Sequence, residues 1–455
     1  MKETYNLTQG PITTTLIKLA LPIIGTNFIQ TTYGIVDMIW VGKLGSESVT
    51  AVGTASFYIN LAIALFSMVS IGSGIKVSQS IGAGEKIQAK EYIHNGFLMS
   101  IVLGAIYMIF ILFAKNELVG FFDLGNREVE KMSSIYLMIS IFGMLFTFFN
   151  TLFSMLLNAL GNSLKPFGIN MVGFIINIVF DPLFIFGVGD LQGLGVQGAA
   201  VATLIANIIV TCLFIIQTRN SSLFNRPFCL KIQGIKTVLK MGLPITLQRV
   251  TFTIISIVIA KIIVQWGAEA IAVQKVGIQI ESISFMTIGG LQGAVAAFIG
   301  QNFGAKQWSR IQKGYKTAFL LTTIFGVAIS IFFLLFPKQL FSLFLRDKSS
   351  LELGIHYLQI IGISQLFMCL EIMTVGAFNG IGKTYIPPIF SIIFTALRIP
   401  MALILSSSFG LNGVWMSIAI SSILKGVVLV FWFIWSARRI SKINSENDRL
   451  LKAGN

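Results

Sequence analysis

Twelve stretches of about 20 mostly apolar residues, set apart by short charged or Gly/Asn/Pro-rich breaks, run through the chain. They lie near 14–39, 51–75, 93–114, 134–158, 164–187, 195–217, 241–264, 276–300, 315–336, 354–378, 386–408 and 412–436. A stretch of that length spans a bilayer core, where no water serves the backbone, so each must close its own hydrogen bonds as a helix. With 55% of residues hydrophobic, 11% charged and a mean hydropathy of +0.83, a water-facing surface cannot be built around them. An all-α integral membrane protein with twelve transmembrane helices is expected. The opening MKETYNLTQGPITTT lacks the order of a signal peptide, so the first stretch is expected to stay in the mature protein.

The formal charge of +15 would suit a nucleic-acid partner if its bases formed one patch, but their placement follows membrane topology instead. One side, holding both termini and the loops near 76–92, 159–165, 218–240, 301–316 and 379–385, carries 21 Lys and Arg. The opposite loops carry 7: Lys43, Lys115, Arg127, Lys131, Lys338, Arg346 and Lys348. Acids lean the other way. The positive-inside rule therefore predicts a multi-pass plasma-membrane protein with both termini cytoplasmic, and no nucleic-acid partner.

An internal repeat divides the spans. IKLALP (17–22) aligns with LKMGLP (239–244) at an offset of 222, and the same ungapped offset carries Leu44-Gly45 and Glu47 onto Trp266-Gly267 and Glu269. It also carries Gln79, Gly82 and Ala83 onto Gln301, Gly304 and Ala305. NALGNSLKP (158–166) follows at 221 against NGIGKTYIP, and GVQGAAVAT (195–203) at 215 against GLNGVWMSI. Six spans per half is an even number, so both halves enter the membrane from one side and form parallel repeats, with a cavity expected between them. The expected organisation is an N-lobe of helices 1–6 over 1–217, a cytoplasmic linker over 218–240, and a C-lobe of helices 7–12 with a cytoplasmic tail over 241–455.

At VDMIWVGKLG (36–45), GNSLKPFGINMVGFIINIVFDPLFIFG (161–187) and GVQGAAVAT (195–203) the chain resembles the multidrug and toxic compound extrusion (MATE) family, and the likeness runs from ALPIIGTNF at 20–28 to the twelfth span. The resemblance implies a V-shaped pair of pseudo-symmetric six-helix bundles. It implies a monomer that exports small organic, often cationic, compounds in exchange for H⁺ or Na⁺, with no other cofactor.

An ionisable side chain at membrane depth costs about 2.5–3.5 kcal/mol on insertion scales, so each calls for a reason. Four acids fall inside the spans: Asp37, Asp181, Glu281 and Glu371. Asn27, Gln30, Gly34 and Asp37 are spaced 3, 4 and 3 apart, a polar stripe on one face of the first helix. Pro22 removes a backbone hydrogen bond near that helix's cytoplasmic end and is the candidate bend. On the fifth span Asn177 and Asp181 are four apart, and on the sixth Thr203, Asn207 and Thr211 recur every fourth residue. Carboxylate, amide and hydroxyl oxygens suit a hard cation such as Na⁺, and a desolvated carboxylate can take up H⁺. The resembling family's DinF-like branch uses an N-lobe aspartate pair with a nearby Asn and Thr, which matches Asp37, Asn177, Asp181 and Thr203 here. The alternative for Asn177 and Thr203 is ordinary hydrogen bonding between helices, worth about 0.6 kcal/mol each.

Gln30, Asn150, Asn170 and Glu371 are candidates to line the substrate cavity. Glu371 lies near an acid used by the family's NorM-like branch, or else pairs with Arg398 or Arg249. Glu281, six residues after Lys275, reads as structural, and Lys425 takes no assigned role. The second half lacks an aspartate pair, since the repeat puts Ile259 opposite Asp37 and Ala402 opposite Asp181. No P-loop supports an ATP-driven pump. His94 and His356 stand alone near span ends and read as interfacial, and Cys212, Cys229 and Cys369 have no metal or redox spacing. No enzyme chemistry is expected. A lipid-linked oligosaccharide flippase, which shares the superfamily architecture, is the rival reading.

Overall fold

A computed structural model of the chain describes residues 6–189, 191–225, 231–345 and 347–453, so Cys229 and Arg346 lie outside it, as do 226–230 of the expected linker. The first half holds α1 (Ile12–Gly42), α2 (Ser46–Gly82), α3 (Lys86–Gly120), α4 (Arg127–Ala159), α5 (Leu164–Phe186) and α6 (Val196–Thr218). A short antiparallel hairpin, β1 (Gly187–Val188) with β2 (Leu191–Gln192), joins α5 to α6. The second half holds α7 (Ile232–Ile263), α8 (Ala268–Gly304), α9 (Trp308–Leu335), a short α10 (Pro337–Ser342), α11 (Lys348–Gly380), α12 (Ile386–Ala396), α13 (Arg398–Phe409) and α14 (Leu411–Ala453). Among the described residues these supply twelve helical segments long and apolar enough to cross a membrane, α12 and α13 together making the eleventh. The protein is a multi-pass membrane protein.

Most helices outrun the apolar stretches that announce them. The stretch 51–75 sits inside α2, and 241–264 begins nine residues after α7 does, so the end of the segment read as linker is helix. The stretch at 386–408 is broken: Pro400 has no amide for the Ala396 carbonyl, and the helix is interrupted at Leu397. Side chains start two of the helices. The Asn126 carboxamide accepts from Glu128 N at 2.9 Å before α4, and the Asp347 carboxylate accepts from Ser350 N at 2.9 Å before α11.

The repeat is visible in the backbone. α2 and α8 are both 37 residues long and start 222 residues apart. Gly45 and Gly267, which precede them, have φ of 113° and 95°, a region where only glycine is unstrained. Gly195 and Gly410, which precede α6 and α14, both have φ of 57°.

By contact the described residues form two compact units, one of residues within 25–246 together with Asn6, the other of residues 7–24 with those within 247–453. α1 changes unit at Ile24/Gly25, two residues after Pro22, and α7 changes at Thr246/Leu247, two residues after Pro244. These breaks are again 222 residues apart.

The first unit has one apolar core. Phe66 stacks on Phe148 at 4.2 Å, Phe153 stacks on Phe214 at 5.3 Å, and Val238 of α7 is fully buried. The second unit has two cores. Leu16, Leu19 and Ile23 of α1 join Phe298, Phe378 and Phe433 in one, while Ile259, Tyr357, Ala402 and Trp415 belong to the other.

Candidate functional site

Asp37 lies one turn before the end of α1, and Asn177 and Asp181 lie one turn apart on α5. The Asn177 Nδ2 donates to Asp181 Oδ1 at 3.0 Å, and both residues are fully buried. Thr203, near the start of α6, donates from Oγ1 to Asp37 Oδ2 at 3.5 Å, the long limit of a hydrogen bond. The Asp37 carboxyl also interacts electrostatically with Asp181 and Asn177. All four residues read from the sequence as one group therefore come together within the first unit.

Three buried acceptor oxygens in this cluster have no hydrogen-bond donor: Asp37 Oδ1, Asp181 Oδ2 and Asn177 Oδ1. Among the described residues neither carboxylate has an ion-pair partner. Pro182, next along α5, lacks the amide that would bond the Ile178 carbonyl and so frees one more oxygen of that helix. Oxygens without donors are what a small hard cation or a proton would satisfy.

Two tyrosines belong beside this cluster that the sequence reading passed over. Tyr33 stands one turn before Asp37, and both it and Tyr136 of α4 feel the charges of the two aspartates. Tyr33 could have been found from its i−4 spacing to Asp37. Tyr136 could not, because only tertiary packing brings α4 there.

The other candidates disperse. Asn150 is buried and spends its amide between helices: Nδ2 donates to the Asn207 carbonyl at 3.1 Å, and Oδ1 accepts from Thr211 Oγ1 at 2.7 Å. Asn170, half-buried, donates to the Pro166 carbonyl at 2.6 Å and to Ser154 Oγ at 3.2 Å. Gln30 is exposed on α1, and Pro22 is buried inside that helix. Glu371 of α11 forms a buried ion pair with Lys425 of α14 at 3.1 Å, so its partner is neither Arg398 nor Arg249.

Glu281 of α8 accepts from Tyr357 Oη at 2.5 Å and from Gln365 Nε2 at 3.2 Å, with no bond to Lys275. Arg398, at the repeat position of Asn177, donates to Ser421 Oγ and Ser422 Oγ and acts electrostatically on both Glu281 and Glu371. The second unit thus buries two acids beside two bases, whereas the first holds an aspartate pair with no base. Ile259 and Ala402, opposite Asp37 and Asp181, sit in an apolar core. His94, read as interfacial, is buried and interacts with the Phe224 backbone. Among the described residues no group of three or more His, Cys, Asp or Glu could hold a metal ion.

The sequence profile of the MatE family matches the chain twice, over 22–183 and again over 244–404. The chain belongs to the MatE family. The two matches begin 222 residues apart and end 221 apart, so each repeat is a MatE unit in its own right. Among relatives, a probable multidrug resistance protein NorM of Thermotoga maritima is 27% identical over 435 residues, covering 93% of each chain. An FAD transporter of Shewanella oneidensis is 26% identical, covering 95% of this chain and 96% of its own. The fold is that of a MATE crystal structure in the bent conformation, with a TM-score of 0.90 at 24% identity, covering 98% of this chain and all of the other.

Proposed function

We propose that this MatE protein is a secondary active multidrug efflux transporter that exchanges small organic, often cationic, compounds for H⁺ or Na⁺ by alternating access. The observation that carries the reading is the Asp37–Asp181 pair, with its donor-free oxygens and no neighbouring base. Two ionised carboxylates in contact repel, and the repulsion grows where water is excluded, so an entering proton or Na⁺ is held strongly. Asn177 and Thr203 complete the coupling group. The proposal places the chain in the DinF-like branch, with its N-lobe carrying the coupling chemistry.

When the ion enters, the pull between Asp37 of α1 and Asp181 of α5 changes. α1 contains Pro22 and is free to bend there, which changes access for the substrate. Substrate and ion need only compete, directly or through that bend, to give antiport. The proposed lobes, 1–217 and 241–455, each contain one of the two MatE matches. The loop charge asymmetry supports both termini being cytoplasmic, and a plasma-membrane monomer is part of the same proposal. A flippase is not favoured, because a relative bears a multidrug resistance name and the buried charges of the second unit balance.

The test is dye efflux from proteoliposomes with Na⁺ and H⁺ gradients imposed separately. Wild-type protein should respond to one gradient, and Asp37→Asn and Asp181→Asn proteins that insert normally should respond to neither. Gradient-driven efflux at the wild-type rate in both variants would remove the proposed coupling site.

A further inference from the structure

The repeat supplies an internal control for the turn between α8 and α9. At the offset of 222, Gly84, Gln88 and Glu91 of the first repeat correspond to Lys306, Arg310 and Lys313 of the second. Residues 84–91 carry two acids and two bases, while residues 306–313 carry three bases and no acid. In the first repeat Glu91 is met by Lys231 at 3.3 Å. Its counterpart Lys313 has no acid to meet, and among the described residues neither Lys306 nor Lys313 is ion-paired.

The backbone makes the same point. Lys306 has φ of 56°, in the left-handed region, where its counterpart Gly84 has φ of 78°. A side chain costs on the order of 1 kcal/mol there, and a strained residue that replaces an available glycine is kept for what its side chain does.

These residues line a shallow cavity of about 650 Å³, largely open to the surface of the second unit, with Gly10, Ile12 and Trp308 among its other walls. Two helices begin at it, α1 at Ile12 and α9 at Trp308, and neither has an acid in its first turn, so their amide ends are unopposed. Arg310 holds the wall in place, donating to the carbonyls of Gly10 and Gln9 at 2.8 Å and of Leu7 at 3.2 Å. Neutral carbonyls leave its charge uncompensated. Trp308 is half-buried with its ring edge-on to Phe303 at 5.4 Å, the amphipathic placement of an interfacial tryptophan.

We propose that this cavity binds the phosphate of an anionic phospholipid headgroup, with Lys306 and Lys313 as its direct contacts and Arg310 as the positioning residue. A free phosphate would meet the same charges. The lipid is favoured because the cavity lies where three membrane spans end, beside an interfacial aromatic, and basic pockets at such ends are headgroup sites. The orientation proposed above enters only in assigning the headgroup to the cytoplasmic leaflet.

The test uses the full chain purified in detergent, with phosphatidylglycerol, phosphatidylcholine or inorganic phosphate added, read by native mass spectrometry and by thermal midpoint. Phosphatidylglycerol should bind and raise the midpoint well above phosphatidylcholine. Lys313→Glu, which restores the first repeat's acid, should weaken phosphatidylglycerol binding about tenfold or more. Lys306→Gly should weaken it too while relieving backbone strain, so misfolding would not account for the loss. Asp37→Asn protein should keep wild-type lipid binding whether or not it transports, which separates this proposal from the coupling site. Equal binding of the two lipids, or wild-type binding in both lysine variants, overturns the proposal. Displacement of phosphatidylglycerol by equimolar inorganic phosphate overturns the lipid assignment.

Discussion

Glu371 and Lys425 form an ion pair at 3.1 Å with both side chains more than nine-tenths buried. A buried pair is weak evidence of stabilisation, but removing one partner strands the other charge, at about 3–5 kcal/mol. Glu371→Gln and Lys425→Met should each lower the thermal midpoint sharply, while the double variant Glu371→Leu/Lys425→Met should regain most of the loss. The folded fraction of each should still couple transport to the ion gradient. Loss of coupling in stable Glu371→Gln protein would place this glutamate in the transport machinery after all.

Thr203 reaches Asp37 with a single long hydrogen bond of 3.5 Å. A hydrogen bond to a charged group contributes about 1.5 kcal/mol, or roughly tenfold in affinity. The bond stabilises the ion-free carboxylate, so Thr203→Val should lower the ion concentration for half-maximal efflux by up to about tenfold, and Thr203→Ser should restore it. Ion titrations of dye efflux decide this, and an unchanged midpoint in Thr203→Val protein would count against a coupling role for the hydroxyl.

Two glycines mark where α7 is pressed against α2. A Cβ at Gly72 would lie 2.4 Å from the Val238 carbonyl oxygen, and one at Gly242 would lie 2.0 Å from that of Met68. Backbone cannot yield as a side chain can, so Gly72→Ala and Gly242→Ala should each cost about 1–3 kcal/mol. Gly34→Ala, in the polar stripe of α1, would meet nothing within 4 Å and should be neutral or stabilising. Thermal midpoints of the three variants test the contrast, and equal losses would contradict the packing described.

The Asp347 carboxylate, outside the spans, is held below the usual carboxylate range by hydrogen bonds from Ser350. A lowered folded pKa means that the cap's contribution is full above the unfolded value of about 3.9 and is lost as pH falls through the folded value. Asp347→Ala should therefore lower the midpoint at neutral pH, with the gap to wild type closing in strong acid. Asp347→Asn should cap at every pH. A gap that persists unchanged at pH near 3, below that reference value, would show that the cap acts without its charge.

The twelve spans and their duplication could be read from apolar runs and Gly/Pro marks, because lipid leaves a helix no alternative. Helix ends could not. α3 runs from Lys86 to Gly120 although its apolar stretch spans 93–114, since a helix does not stop where the hydrocarbon does. The cluster proposed for coupling was legible because Asp37, Asn177 and Asp181 are costly at membrane depth and so stand out. Its tyrosines, and the choice of Lys425 as the partner of Glu371, depend on which faces meet, and one-dimensional spacing does not carry that. Asn150 is a cavity candidate by its place inside a span, and its hydrogen bonds to α6 are a second tertiary feature that spacing does not carry.

Since α1 and α7 each change unit just after a proline, neither half of the gene encodes a self-sufficient body. A polypeptide ending near residue 225 would keep Leu16, Leu19 and Ile23 without Phe298 and Phe378 to cover them, and one beginning near 231 would carry Val238 without its surroundings. Split at the linker, the chain should be recovered only by co-expression of both fragments, as mutual complementation rather than as two separate domains.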